Sequence, residues 1–144
     1  MDVLKIISQL ILLLVLAVSA WWDIRTKTVP VLLPAAAFCV GLPLQIIIGE
    51  LGALQLILGC AIGLAFFGIS FLSRGKIGPA DGLLLTASGA CLGFADNLWL
   101  SVLAFAAAGV SGLALLAFGK AKGKSEMPFA PCLLFGYVIL LAVG

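Results

Sequence analysis

Six continuous apolar runs constrain the fold of this sequence more than any other feature. The runs cover residues 3–22, 31–48, 51–72, 80–95, 97–118 and 128–143. A helix needs about 20 apolar residues to cross a bilayer, and the first, third and fifth runs reach that length easily. The fourth and sixth are short, so they need flanking residues or burial in a bundle. Because the runs do not alternate with polar residues, β-barrel strands are excluded.

Composition agrees with a chain that faces lipid. Hydrophobic residues make up 64% of the 144 positions and charged residues only 10%, whereas soluble domains carry about 25% charged residues. No hydrophilic stretch is long enough to form a separate globular domain. We therefore predict an all-α membrane protein with about six transmembrane helices, forming one polytopic domain over residues 1–144.

Helix-breaking and polar residues mark the joints between the runs. We predict the joints at Pro30, at residues 49–50, at residues 75–79, at a tight turn formed by Asp96 and Asn97, and at residues 119–128. Two prolines inside the second run, Pro34 and Pro43, predict a kinked helix.

Small residues predict close helix packing in the third run. Gly59 and Gly63 have the spacing that lets two helices approach closely. We interpret this pair as a contact within the bundle rather than a dimer interface.

The distribution of lysine and arginine predicts the orientation. Seven of the eight basic residues lie in the first, third and fifth loops, and only Lys5 lies on the other side. Basic loops remain in the cytoplasm, so we expect both termini on the extracytoplasmic side. A competing interpretation is that residues 4–18 are a secretory signal cleaved after Ala20, which would leave Asp23 near a new N-terminus. Basic residues follow this run instead of preceding it, which favours an uncleaved helix.

Several kinds of chemistry are excluded or disfavoured by what the sequence contains. Histidine is absent, so a Ser-His-Asp triad or an HExxH zinc site is impossible. The four cysteines are widely spaced without a CxxC pair, and we interpret them as small core residues. We expect no metal and no cofactor. Basic residues occur in small groups between apolar runs, which is typical of membrane loops and not of nucleic-acid binding.

Two aspartates, Asp23 and Asp81, end the first run and begin the fourth. The predicted topology puts both at the cytoplasmic edge of the membrane, where ionisable groups are costly and usually functional. Two close carboxyls in a poorly hydrated site share one proton and can act as an acid–base pair. Alternatively, Asp81 is a helix cap and Asp23 a salt-bridge partner of Arg25 or Lys27.

Four short motifs resemble those of the type IV prepilin peptidases, which are polytopic aspartic peptidases of the GxGD kind. Residues 23–30, D-I-R-T-K-T-V-P, resemble D-x-R-x-x-x-[IV]-P, and residues 78–81, G-P-A-D, resemble G-[GA]-[GA]-D. Residues 89–93 match a stretch of small residues that follows in the family. Residues 127–131, M-P-F-A-P, resemble the P-F-[GA]-P segment before the last helix.

The resemblance implies that Asp23 and Asp81 are the catalytic residues of a leader peptidase. Its substrates would be type IV pilin-like precursors (prepilins or pseudopilins) with a hydrophobic N-terminal helix, cut at the cytoplasmic face of the cell membrane, generally after glycine. We expect five residues to contact the substrate: Gly78, Ala80, Gly82, Pro128 and Pro131. The first loop is too short for the cytoplasmic insertion of larger members, so N-methylation is not expected.

Departures from the family pattern affect recognition rather than the carboxyls. Val31 stands where an asparagine usually follows the proline, and Leu83 stands where a lysine is usual. In the second motif, Pro79 and Ala80 stand where glycines are commoner. Two other classes of protein remain as alternatives. One is a small transporter or channel subunit with an acidic ion site, and the other is a non-catalytic relative acting in pilus assembly.

Overall fold

The six apolar runs form six α-helices. A computed structural model describes residues 2–26, 30–72, 79–119 and 129–143. In chain order the helices are α1 (Asp2–Thr26), α2 (Leu32–Ile48), α3 (Ala53–Leu72), α4 (Pro79–Leu92), α5 (Phe94–Ala117) and α6 (Ala130–Val143). The predicted all-α fold is confirmed.

The longest helices have the length and the composition of membrane spans. In the described ranges, α1, α3 and α5 are long and apolar enough to cross a bilayer, whereas α2, α4 and α6 are shorter apolar helices. Large hydrophobic side chains cover the outside of the bundle, among them Leu14, Ile57 and Val110. An apolar exterior of this kind is suited to lipid and supports a membrane protein.

Helix α4 forms the centre of the bundle. Almost every residue from Leu84 to Cys91 is buried, and its leucines pack against Leu12 and Leu16 of α1, Leu100 of α5 and Leu133 of α6. A helix enclosed on all sides by other helices has no polar face. The short fourth run is thus buried in the bundle, as the sequence analysis required, and its buried polar residues Thr86 and Ser88 donate to the carbonyl oxygens of Gly82 and Leu85.

Glycines bring α3 and α4 into backbone contact. A Cβ on Gly59 would lie 2.8 Å from the carbonyl oxygen of Gly89, and a Cβ on Gly63 would collide with the backbone of Thr86. The two helices can therefore approach this closely only because side chains are absent. The predicted packing role of Gly59 and Gly63 inside the bundle is confirmed.

The predicted turn at Asp96 and Asn97 is wrong. The chain turns at Gly93, whose φ of 81° suits glycine, and α5 begins at Phe94. Asn97 is buried, and its amide donates to the carbonyl oxygens of Gly59 at 2.9 Å and Leu85 at 3.1 Å. A polar side chain that appeared to be a turn signal thus connects α5 to α3 and α4.

Two smaller predictions are modified by the structure. Pro34 lies in the first turn of α2, where its missing N–H costs no helical hydrogen bond, so only Pro43 lies inside the helix. All four cysteines are free, but only Cys91 and Cys132 are buried. Cys39 is exposed and Cys60 is half-buried, so the interpretation of all four as core residues was too broad.

Candidate active site

Asp23 lies in the last turn of α1, at the end of the bundle where α6 begins. Its side chain is only 6% exposed. The backbone N–H of Ala130, the first residue of α6, donates a hydrogen bond to Asp23 Oδ2 at 3.2 Å. Helix N-termini carry unpaired N–H groups and a partial positive charge. The start of α6 therefore forms a site that holds and stabilises the Asp23 carboxylate.

One of the two basic neighbours of Asp23 packs on an aromatic ring. Arg25, one of the two salt-bridge partners considered from the sequence, has its guanidinium 4.6 Å from the ring centroid of Trp21. That contact is a cation–π interaction on the surface of α1. Lys27, the other partner, lies outside the described residues.

Asp81 lies in the first turn of α4 and is half-buried. It borders a cavity of about 30 Å³ whose other walls are Phe66, Leu85, Phe105 and Phe129. Phe129, one of these walls, directly precedes Ala130, whose N–H is bonded to Asp23. The fold thus brings together two carboxyls that are far apart in the sequence, at one end of the helix bundle.

Three aromatic rings form a continuous wall beside Asp81. The ring of Phe105 lies 4.7 Å from that of Phe66 and 5.1 Å from that of Phe129, measured between centroids. These separations are typical of packed aromatic pairs. The rings come from α3, from α5 and from the residue before α6.

The other predicted site residues have different surroundings. Ala80 is half-buried beside Asp81. Gly82 is buried, and a Cβ there would lie 2.6 Å from the backbone nitrogen of Phe67, so its small size makes room for α3. Pro131 lines an open groove between α5 and α6. Gly78 and Pro128 lie outside the described residues.

Two of the departures from the family pattern share one surface. Val31 and Leu83 both line an apolar groove of about 260 Å³ between α2 and α4. Pro34, Phe38 and Thr86 complete its walls. The structure therefore places these two departures together, on a groove distinct from the Asp81 cavity.

At this end of the molecule, the protein groups that could bind a ligand are carboxyls. Within the ranges that the structure describes, no group of three histidine, cysteine or acidic side chains could hold a metal ion. The groups described here include two carboxyls, a helix N-terminus and an apolar wall. Such an arrangement can bind water and exchange protons with it.

Sequence reasoning missed three contributors to this site. The N–H of Ala130 lies within the M-P-F-A-P segment, so that segment was a signal, although its contact with Asp23 was not foreseen. Phe66 and Phe105 carried no signal, because an aromatic residue in an apolar run is indistinguishable from one that faces lipid. Only the packing of α3 and α5 shows that these two rings border Asp81.

The fold and the site together define an all-helical protein with one buried and one half-buried carboxyl at one end of its bundle. A sequence model of the type IV leader peptidase family matches residues 10–118. The chain therefore belongs to the type IV leader peptidase family, as its motifs predicted. The match includes both aspartates and ends before Phe129. Neither the curated proteins nor the solved structures contain a match to this chain.

Proposed function

We propose that this chain is an aspartic endopeptidase and that Asp23 and Asp81 are its catalytic residues. Its substrates would be type IV pilin-like precursors, from which it removes the leader peptide at the cytoplasmic face of the cell membrane. One observation carries this proposal: the start of α6 contacts both carboxyls, because the N–H of Ala130 is bonded to Asp23 and the preceding Phe129 lines the Asp81 cavity. Membership of a peptidase family supports it.

The surroundings of the two carboxyls support different roles for them. Asp23 accepts an N–H from the start of α6, and a hydrogen bond of this kind stabilises a carboxylate. Asp81 has three phenyl rings and a leucine beside it, and apolar walls favour a neutral carboxyl. We therefore assign the ionised state to Asp23 and the protonated state to Asp81 before the reaction.

Peptide hydrolysis by this pair needs a single water molecule. The Asp23 carboxylate takes a proton from the water as its oxygen attacks the carbonyl carbon of the peptide bond. The Asp81 carboxyl donates a hydrogen bond to the carbonyl oxygen, which becomes negative as the tetrahedral intermediate forms. Collapse of the intermediate breaks the C–N bond, and the leaving amine takes up a proton from the pair.

A precursor with a hydrophobic N-terminal helix suits the position of the site. That helix would lie in the bilayer beside the bundle, and its leader would extend into the cytoplasm next to the two aspartates. The groove lined by Pro131 opens on the outer surface between α5 and α6. It lies beside Ala130, whose N–H holds Asp23, and so it offers a route along which the helix could approach.

The first prediction concerns the two carboxyls. Asp23→Asn and Asp81→Asn should each reduce cleavage of a pilin-like precursor at least about a thousandfold, because each removes half of the acid–base pair. The measurement is leader removal in reconstituted membranes, with equal insertion of all proteins checked first. Asp96→Asn is the matched control: this exposed aspartate lies in the first turn of α5, and the variant should cleave normally.

The outcomes separate the proposed function from its alternatives. Undiminished cleavage by Asp23→Asn or Asp81→Asn would refute the aspartic mechanism. Absence of cleavage by the wild type across several precursors would refute the leader peptidase function. In that case, proton or cation transport that depends on the same aspartates would identify a transporter, and precursor binding without cleavage would identify a non-catalytic assembly partner.

A further inference from the structure

We propose that Ser19 is a positioning residue for Asp23, and that its buried hydroxyl donates a hydrogen bond to the Asp23 carboxylate once a precursor occupies the site. This role rests on the proposed peptidase function and adds a side chain to the proposed site. It follows from an unpaired hydroxyl that is enclosed in the bundle one helical turn before a proposed catalytic residue.

The Ser19 hydroxyl is shielded from the surroundings of the bundle and unpaired. The residue is 0% exposed, and its oxygen makes no hydrogen bond to the described residues. In the ranges that the structure describes, it is the one buried side-chain oxygen or nitrogen in this condition. An unpaired buried hydroxyl costs stability, and such a group in a folded protein calls for an explanation, of which a role in catalysis is one.

Hydroxyl groups in other helices find a partner in their own backbone. Four of them donate to a carbonyl oxygen three or four residues earlier in the same helix: Thr86, Ser88, Ser101 and Ser111. A helical serine can form this bond without help from the rest of the fold. For Ser19, the carbonyl four residues earlier is that of Val15, and the bond is not made. The Ser19 hydroxyl therefore remains available for a different acceptor.

Asp23 provides an acceptor on the same face of α1. Both Ser19 and Asp23 are buried, and residues four apart in an α-helix have Cβ atoms about 5–6 Å apart. Helical side chains lean toward the N-terminus of their helix, so the Asp23 carboxyl leans toward Ser19. The other α1 side chains three or four positions from Ser19 are Val15, Leu16 and Trp22, and none of them has an acceptor group.

A bond from Ser19 would complete the set of donors that holds Asp23. The N–H of Ala130 already donates to Asp23 Oδ2, and a second donor would fix the plane of the carboxylate. Each carboxylate oxygen has two lone pairs, so the attacking water can still bind. A precursor that enters the site displaces water from the carboxylate, which then needs protein donors instead. Rotation of the Ser19 side chain between staggered positions supplies one.

The test compares kcat for a pilin-like precursor in reconstituted membranes. Ser19→Ala should lower kcat about tenfold or more, the factor for one hydrogen bond to a charged group. KM should change less, because the hydroxyl contacts Asp23 and not the precursor. Ser19→Thr keeps the hydroxyl and should retain most of the wild-type kcat. Ser101→Ala is the matched control: its hydroxyl is also buried but is bonded within its own helix, so kcat should equal that of the wild type.

A slower Ser19→Ala could not be explained by loss of folded protein, because removal of an unpaired hydroxyl should make this variant more stable than the wild type. An unchanged kcat in Ser19→Ala, with the precursor still cleaved, would overturn the inference and leave the peptidase function intact. An equal loss of kcat in Ser19→Ala and in a stably folded Ser19→Thr would also overturn it, since the shape of the side chain and not its hydroxyl would then matter.

A second measurement does not depend on cleavage. The free energy of unfolding is compared for the wild type and Ser19→Ala in detergent without a precursor, and the variant should be the more stable. A less stable Ser19→Ala would show that the hydroxyl already has a partner before a precursor binds. That result would overturn the inference whether or not the chain is a peptidase.

Discussion

At the residue scale, neighbours from distant parts of the chain distinguish two identical side chains. Asp23 is held by an N–H from a residue 107 positions later, while Asp81 is enclosed by rings from three other segments. A carboxylate gains from a charge-assisted hydrogen bond, and a neutral carboxyl is favoured by an apolar wall. The same chemical group can therefore serve as base at one position and as acid at the other.

A second feature at the residue scale, the buried hydroxyl of Ser19, leads to a prediction about stability. Its hydroxyl is buried, one helical turn before Asp23, and has no hydrogen-bond partner among the described residues. An unpaired buried hydroxyl costs about 1–3 kcal/mol, so Ser19→Ala should raise the free energy of unfolding by about 1 kcal/mol. Chemical unfolding in detergent measures this change.

Ser88 provides the control for Ser19. It is equally buried, but its hydroxyl donates to Asn97 Oδ1 at 2.6 Å. Ser88→Ala should lower the free energy of unfolding by about 1–2 kcal/mol, because the Asn97 oxygen loses its donor. If both variants were destabilised equally, the Ser19 hydroxyl would have to have a hydrogen-bond partner in the folded protein, for example a buried water molecule.

At the element scale, the contact between α3 and α4 positions the site. Gly59, Gly63 and Gly82 lie along this contact, and each leaves room for the opposite backbone. Asn97 strengthens the same region by donating to carbonyl oxygens of both helices. Because Gly82 follows Asp81 directly, the separation of α3 and α4 also sets the distance between Asp81 and Phe66.

A pair of glycine substitutions tests this contact. Gly63→Ala should lower the free energy of unfolding by about 1–3 kcal/mol or more, since its Cβ would collide with the Thr86 backbone. Gly68→Ala, five residues later in α3, should instead be neutral or stabilising by about 0.5–1 kcal/mol, because no atom lies within 4 Å of its Cβ. Thermal unfolding in detergent measures both, and equal effects would contradict the close contact.

At the scale of the whole molecule, tryptophans and charges mark two ends. Trp21 and Trp22 are exposed beside Asp23 at one end, and Trp99 is exposed at the other. Tryptophan is enriched at membrane interfaces. The end with Trp99 also has an ion pair between Lys5 and Glu50 at 2.9 Å. The structure therefore has two polar rims, with the two candidate catalytic carboxyls at one of them.

The last prediction concerns orientation. If the basic loops are cytoplasmic, a membrane-impermeant maleimide should label Asp96→Cys in intact cells but Arg25→Cys only after permeabilisation. Both variants are made in a Cys39→Ser background, since Cys39 is exposed. Labelling of the unmodified Cys39→Ser protein provides the background signal. The reverse pattern would place the carboxyls on the extracytoplasmic side and refute cleavage in the cytoplasm.

The helices could be predicted from the sequence, whereas one of the joints between them could not. The helices could be predicted from the apolar runs, because every backbone N–H and C=O group in lipid needs a hydrogen-bond partner within the protein. A helix supplies these partners from residues that are close in sequence. The joint at Asp96 and Asn97 did not follow, because a polar pair between apolar runs resembles a turn unless its partners are known. Asn97 is instead buried, and its hydrogen bonds go to residues on two other helices.

By itself, the sequence determined the six helices and the family and identified the two aspartates as candidates, since these depend on local composition and short motifs. The tertiary structure alone decided what surrounds each carboxyl. Ala130, Phe66 and Phe105 reach the site through the packing of α6, α3 and α5, and that packing depends on contacts between residues far apart in the chain. Phe66 and Phe105 leave no periodicity or motif, because each looks like an ordinary residue of an apolar helix. Ala130 lies in a motif, but the motif does not show that its N–H is bonded to Asp23.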